Sequence, residues 1–190
     1  MLIAEAQRDV RFTFLGGFAG QLVSGALWFV SATLGTLGTA RQAILTLVVG
    51  GFFIFPLTWL ALRVTGHPAQ LRPGNPMNQL AMQVAFTLPL TLPLVGAATL
   101  YDLDWFYPSF MIVLGAHYLP FTFLYGMRLF AGLCAILVGG GVAIGMWGPD
   151  SFPVGGFLTA GVLIVAGIAG RLLVAREQAA LAPVAAGLRA

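Results

Sequence analysis

The chain has 190 residues; 59% of them are apolar, 8% are charged, and the formal net charge is +3. Its mean hydropathy is +0.94, and since soluble domains carry about 25% charged residues, we exclude a soluble, disordered or nucleic-acid-binding protein. The single cysteine, Cys134, also excludes a disulfide scaffold. The composition predicts an all-α integral membrane protein embedded in a lipid bilayer, with room for about six spans in a single domain, residues 1–190.

Six apolar segments, separated by charges and turn residues, are the predicted transmembrane helices. They cover residues 12–37, 42–62, 78–100, 105–126, 128–146 and 152–173, and are called spans one to six. The residues that follow, 174–190, are expected to form a cytoplasmic tail that is partly helical or disordered.

The distribution of arginine predicts the orientation, because cytoplasmic loops carry an excess of basic residues. All nine basic residues are arginines, and with six spans only Arg41 falls on the outer side. The acids Asp102, Asp104 and Asp150 fall on that same outer side. We therefore expect both termini in the cytoplasm of a bacterial inner membrane. The arginines that share the cytoplasmic side are Arg8, Arg11, Arg63, Arg72, Arg128, Arg171, Arg176 and Arg189.

Spans two and four share a ten-residue pattern, G-x-x-x-x-P-x-T-aromatic-L. It begins at Gly51 in span two and at Gly115 in span four, and an arginine follows each copy. Both spans run from outside to inside, so the pattern suggests duplicated two-helix hairpins. Chance similarity in so apolar a composition is the alternative.

Polar residues at helical spacing mark the inward faces of membrane helices. On span one the stripe is Gly17, Gln21, Ser24, Trp28, Ser31 and Gly35, and on span three it is Gln79, Gln83, Thr87 and Thr91. Hydrogen bonding between helices explains either stripe. A polar cavity that the two stripes share is the functional alternative.

Span four carries His117, which is the only ionisable residue predicted near the centre of a span. Tyr118, Tyr125 and Arg128 follow at spacings that place them on one helix face, with His117 at its border. These groups suit an anionic head group, a quinone-like ring or a proton. The structural alternative is a neutral histidine that donates a hydrogen bond to a backbone carbonyl.

The segment Gly115-Ala116-His117-Tyr118-Leu119-Pro120-Phe121, together with the six-span layout, resembles a family of uncharacterised bacterial membrane proteins of about this length. The resemblance implies a domain of unknown function, and it carries no catalytic or binding role over to any residue.

Spans five and six are rich in glycine, which lets helix backbones approach closely. Small residues stand four apart at Gly141 and Gly145 in span five and at Ala166 and Gly170 in span six. They predict close packing within the bundle or a homo-oligomer formed through these two spans.

The sequence predicts no metal site, cofactor or catalytic set, because His117 and Cys134 are the only metal-ligating types within the predicted spans. We expect small-molecule binding or transport through a cavity among spans one, three and four. Alternatives are a membrane enzyme acting on a lipid or isoprenoid, with His117 as base and Arg128 on a phosphate, and a structural or stress-related protein without a site. The candidate ligand-binding residues are His117, Tyr118, Tyr125, Arg128, Gln21, Ser24, Trp28, Gln83 and Thr87.

Overall fold

The computed structural model of the chain describes residues 1–149 and 151–187, with side chains up to residue 181. Asp150 and Arg189, which entered the predicted topology, lie outside the described residues. The helices are α1 (Ile3–Thr13), α2 (Phe18–Leu37), α3 (Ala40–Gly51), α4 (Ile54–Val64), α5 (Met77–Tyr101), α6 (Phe106–Tyr118), α7 (Phe121–Tyr125), α8 (Leu129–Trp147) and α9 (Val154–Gly187).

Several helices are long and apolar enough to cross a membrane, so the chain is an all-helical membrane protein. Within the described residues there are four, namely Leu15–Leu37, Met77–Tyr101, Leu129–Trp147 and Val154–Leu181. The pair α3 and α4, bent by 60°, raises the number to five if it forms one broken span. Helix α6, with 13 residues, and α7, with 5, are each too short to cross alone.

The predicted spans match the uninterrupted helices closely and the interrupted ones less well. Spans three and five correspond to α5 and α8 within one residue at each end. Spans two and four are each broken into two helices, and the first residues of span one belong to the separate helix α1. The tail, predicted to be partly helical or disordered, is helical as far as Gly187, because α9 continues past residue 173 to that residue.

A tight turn at Leu15, Gly16 and Gly17 separates α1 from α2, and all three residues have positive φ. Glycine is needed at position 16 for two reasons: its φ is +67°, and a Cβ there would lie 2.6 Å from the carbonyl oxygen of Gly170. The start of α2 and the middle of α9 therefore touch backbone to backbone.

Helix α1 packs across one end of the bundle, which we call the α1 end, and the opposite end is called the far end. The amide of Gln7 donates to the carbonyl of Phe123 at 2.6 Å. The amide of Asn75 donates to the carbonyl of Ala6 at 3.1 Å. These bonds bring the ends of α7 and of the loop before α5 to the α1 end.

Two aromatic clusters form much of the core. The Trp28 cluster, towards the far end, consists of Trp28, Phe106, Tyr107, Phe110 and Phe152. The Phe130 cluster, towards the α1 end, consists of Tyr118, Phe121, Tyr125 and Phe130. The first joins α2, α6 and the segment before α9, and the second joins α6, α7 and α8.

The small residues of spans five and six pack within the chain. A Cβ on Gly141 would lie 2.7 Å from the carbonyl oxygen of Pro108, and one on Gly145 would lie 2.7 Å from the ring of Trp105. Gly170 contacts Gly16, and Ala166 is buried. These four residues therefore pack closely within the bundle, which is the first of the two roles predicted for them.

Candidate functional site

The polar stripe of span one lies on the inward face of α2, as predicted from its spacing. Gln21, Ser24, Trp28 and Ser31 are all buried, with at most 4% of any of them exposed. The Trp28 ring packs against Tyr107 and Phe110 at centroid distances of 5.8 and 5.1 Å. Ser31 bonds to the carbonyl of Ala43 and to the Tyr107 hydroxyl. This far half of the stripe is therefore fully engaged in packing.

Gln21 differs from the rest of the stripe, because its amide is buried without a partner. The residue is 2% exposed, and neither Oε1 nor Nε2 makes a hydrogen bond within the described residues. A buried amide without a partner costs about 1–3 kcal/mol. Packing alone therefore does not explain why the Gln21 amide is buried.

Gln21 lies where α2, α8 and α9 meet. A Cβ on Gly17 would lie 3.7 Å from Gln21 Nε2 and 3.2 Å from Phe130 Cζ. A Cβ on Gly167 would lie 3.3 Å from Gln21 Oε1. Glycine at both positions lets the backbone pack close to the amide, and we call this region, with the Phe130 cluster beside it, the Gln21 junction.

Two of the candidate residues of span four belong to the same region. Tyr118 and Tyr125 are each 6% exposed, and their rings pack on Phe130 at 6.2 and 4.8 Å. Among the described residues neither hydroxyl takes part in a hydrogen bond. Phe130 is thus the common neighbour of two phenols and of Gly17, which lies four residues before Gln21.

An arginine that the sequence analysis used only for topology also has a buried nitrogen. Arg171 Nη1 is buried and makes no hydrogen bond within the described residues. Arg171 stands one turn after Gly167, the residue of α9 that contacts Gln21. The sequence feature that points to a role for Arg171 is its position inside the long apolar segment of α9, because burying a charge within a membrane helix costs free energy.

The repeated pattern places equivalent threonines in similar environments. Thr58 in α4 and Thr122 in α7 hold the same position in the two copies, and both hydroxyls are buried without a hydrogen-bond partner in the part of the chain that the structure describes. Each copy also contains a helix break, before Ile54 in the first and before Phe121 in the second. The breaks fall at different positions of the pattern.

The His117 ring lies between α5 and the edge of the Phe130 cluster, with its centroid 5.1 Å from that of Phe121 and 5.7 Å from that of Tyr118. Its Nδ1 lies 3.0 Å from Thr87 Oγ1, and that hydroxyl donates its one proton to the carbonyl of Val84 at 2.7 Å. Nδ1 must therefore carry the proton and donate to Thr87. The partners of the histidine are thus the Thr87 hydroxyl and the backbone of Val84 on the neighbouring helix, and the second of these is the kind of partner that the structural alternative expects.

The inward orientation predicted for Gln79 and Gln83 is wrong, because both side chains are exposed. Helix α5 packs mainly against α6, so most of its circumference lies on the outside of the bundle. Arg128 is exposed at the start of α8, apart from the buried phenols with which it was grouped. The structure thus brings Gln21, Tyr118 and Tyr125 to one region and leaves Gln83 and Arg128 outside it.

The chain belongs to DUF7010, a family of unknown function, whose model matches residues 3–174. The match confirms the expectation that the chain belongs to an uncharacterised family. No curated protein and no solved structure is significantly similar to the chain.

Proposed function

We propose that this DUF7010 protein is a six-span protein of the bacterial inner membrane that binds a small molecule at the Gln21 junction. The observation that carries the proposal is the amide of Gln21, which is 2% exposed and has no partner for either polar atom within the described residues. A bound molecule with both a donor and an acceptor would satisfy the two atoms. Binding inside the bundle is also the first requirement of transport.

The surroundings of Gln21 favour a small, partly aromatic or apolar ligand. Tyr118 and Tyr125 supply phenol groups at the Phe130 cluster, and Phe130 itself is fully buried. Aromatic walls with a few polar groups are typical of small-molecule sites. At positions 17 and 167 a Cβ would come within 3.7 Å of Gln21 Nε2 and 3.3 Å of Gln21 Oε1, and glycine at both positions keeps these contacts away from the amide.

The proposed six spans are supported by contacts at the two ends of the bundle. Helix α2 begins at the α1 end, and α3 begins directly after α2 ends, at the far end. Leu62, near the end of α4, packs with Leu15 back at the α1 end. The α3–α4 pair therefore returns across the bundle. At the far end Gly145 of α8 packs against Trp105, which precedes α6.

The α6–α7 unit is proposed as the sixth span. Helix α6 alone rises about 20 Å, which is less than the hydrocarbon core of about 30 Å. The unit begins beside Trp105 and ends where Gln7 and Arg11 bond the carbonyls of Phe123 and Tyr125. Its two ends therefore lie at opposite ends of the bundle. With six spans, the arginine distribution favours both termini in the cytoplasm.

Homo-oligomerisation through spans five and six stays a prediction. The glycines in these spans that have no neighbour within 4 Å of an added Cβ, among the described residues, are Gly132, Gly139 and Gly161. They are the positions where the backbone of a second copy can approach closely.

The proposal is tested by comparing the wild-type protein with Gln21→Leu, using Gln79→Leu as the matched control because Gln79 is exposed. Each protein is purified in mild detergent, its thermal unfolding is measured, and the small molecules that copurify are extracted and identified by mass spectrometry. We expect a molecule that is retained by the wild type and Gln79→Leu and lost from Gln21→Leu. The empty Gln21→Leu protein should be at least as stable as the empty wild type.

A purely structural role for Gln21 predicts the opposite pattern. No molecule would then copurify, and Gln21→Leu would lower the free energy of unfolding by about 0.6–2 kcal/mol, the value of one interhelical hydrogen bond. That combination would overturn the proposed binding site.

A further inference from the structure

A pocket opens at the α1 end, between α1, the end of α4 and the loop that joins α4 to α5. Its volume is about 560 Å³. The residues that define its chemistry are Asp9, Phe12, Thr13, Arg63, Leu71 and Arg72. None of them belongs to the Gln21 junction.

The pocket contains two guanidinium groups and one carboxylate, and that carboxylate is already engaged. Asp9 Oδ2 accepts from the backbone N–H of Arg72 at 3.0 Å and from the amide of Asn75 at 2.8 Å. Asp9 Oδ1 lies 3.5 Å from Arg72 Nε. The Arg72 side chain is 78% exposed and lines the pocket, and its terminal nitrogens make no salt bridge within the described residues.

Arg63 forms no salt bridge within the described residues. Its guanidinium lies over the ring of Trp59, with 5.1 Å between Cζ and the ring centroid. A planar guanidinium offers paired donors that match the oxygens of a phosphate. Arg63 is thus a cation that lines the pocket and has no anionic partner within the described residues.

The position of Arg63 relates the pocket to the membrane surface. Tryptophan next to arginine at the end of a membrane helix is typical of the lipid head-group level. The outer surface of α4 beside the pocket is apolar and exposed, with Leu60 51% and Val64 78% exposed. A molecule held at Arg63 therefore has an apolar helix surface beside it, along which a hydrocarbon chain can lie.

We propose that this pocket binds the phosphate group of an anionic phospholipid. Arg63 and Arg72 donate to the phosphate oxygens, and Phe12 and Leu71 supply the apolar wall. Asp9 holds Arg72 and the loop in place through its bonds to Arg72 and Asn75. A smaller neighbouring pocket shares Asp9, Phe12 and Arg72, is also lined by Arg8 and Glu5, and gives room for the rest of the head group.

The test measures lipid binding to the delipidated full-length protein by native mass spectrometry. The probes are dioleoyl phosphatidylglycerol, dioleoyl phosphatidylcholine and inorganic phosphate, the last as a competitor. The variants are Arg63→Gln and Arg63→Lys. The matched control is Arg176→Gln, since Arg176 is an exposed arginine that does not line the pocket.

We expect phosphatidylglycerol to bind more tightly than phosphatidylcholine, and Arg63→Gln to weaken its binding by about tenfold, the loss of one charge-assisted contact. Arg63→Lys should keep part of the affinity, and Arg176→Gln all of it. Because Arg63 makes no salt bridge in the described structure and loses only its contact with the exposed Trp59 ring, the melting temperature of Arg63→Gln should fall only slightly.

Equal affinity of the wild type and Arg63→Gln for phosphatidylglycerol would overturn the proposal. Equal loss in Arg63→Gln and Arg176→Gln would also overturn it, because attraction would then be general rather than local. Full displacement of the lipid by inorganic phosphate at the same concentration would overturn the lipid as ligand and identify a soluble phosphate. None of these outcomes bears on copurification at Gln21, so the two proposals can fail separately.

Discussion

Arg11 in α1 and Glu177 in α9 form a double hydrogen-bonded ion pair between the two ends of the chain. Nε donates to Oε2 at 2.9 Å and Nη2 donates to Oε1 at 2.7 Å. The remaining terminal nitrogen, Nη1, donates to the carbonyl of Tyr125 at 2.7 Å, where α7 ends. One guanidinium therefore joins α1, α7 and α9, and it also satisfies a carbonyl that the end of α7 leaves without a helical partner.

Replacing Arg11 by Gln should lower the free energy of unfolding by about 2 kcal/mol, because Glu177 and the Tyr125 carbonyl both lose charge-assisted bonds in a partly buried setting. Arg8→Gln is the matched control: Arg8 lies 3.7 Å from the same carboxylate, with 48% of its side chain exposed. We expect that control to change stability by less than about 1 kcal/mol. Unfolding in detergent, followed by circular dichroism, measures both values. Equal effects of the two substitutions would contradict the assignment.

Asn75 should be among the most sensitive positions of the loop between α4 and α5. Its amide nitrogen donates to Ala6 and Asp9, and its side-chain oxygen accepts from the backbone N–H of Met77 at 2.9 Å, at the start of α5. Asn75→Ala removes all three bonds from a residue that is 5% exposed, so we expect a loss of about 2 kcal/mol or more.

Asn78→Ala is the control for this prediction, because Asn78 lies one turn further along the chain and is exposed. It should leave stability within about 0.5 kcal/mol of the wild type. Hydrogen exchange adds an independent measurement: in Asn75→Ala the amides of α1 should exchange faster. Unchanged exchange in α1 would mean that Asn75 does not hold that helix to the bundle.

How far the sequence determines the fold is clearest from α5 and α8. Each is a long apolar run bounded by polar or turn residues, so hydropathy alone predicts its ends to within one residue. Helix α1 is not predicted by hydropathy because it is short and carries four charged residues, and it is stabilised by bonds to distant residues such as Glu177 and Tyr125. Contacts of that kind leave no local pattern.

The same distinction applies to the candidate site, where helical spacing predicts some orientations and contacts between distant segments determine the others. The inward orientation of Gln21 follows from helical spacing, because α2 is packed on several sides. The same rule fails for Gln83, since α5 contacts little besides α6, and the neighbours of a helix cannot be derived from its own sequence. Arg171 was used only as a topology marker, because hydropathy does not distinguish an arginine at a helix end from one directed into the bundle.

The hydrogen bonds at Ser31 link α2, α3 and α6 and give a third stability prediction. Ser31 Oγ donates its one proton to the Ala43 carbonyl at 2.9 Å, so the Tyr107 hydroxyl, 2.6 Å away, is the donor to Ser31. Tyr107→Phe should cost about 0.6–1.7 kcal/mol, the range of interhelical bonds in membranes. Ser31→Ala should cost more, because it leaves the buried Tyr107 hydroxyl without a partner and removes the additional bond that the Ala43 carbonyl accepts.

The control here is Thr33→Ala, because the Thr33 hydroxyl bonds only to Phe29 in its own helix. Its effect should stay below about 0.5 kcal/mol. In the double variant, Tyr107→Phe should add little to Ser31→Ala, since one bond cannot be lost twice. Fully additive costs would show that the two hydroxyls do not interact.

Cysteine labelling tests the proposed orientation and the number of spans separately. In a Cys134→Ala background, single cysteines are placed at Asp104 and Ser151 at the far end and at Gln70 and Arg176 at the α1 end, all of which are exposed. An impermeant maleimide added to intact spheroplasts should label the first pair and spare the second, which should react only after lysis. Labelling of the second pair alone would reverse the orientation and leave six spans intact. Labelling of Asp104 without Ser151, or the reverse, would instead rule out six spans, because α6 to α8 would no longer cross the membrane twice.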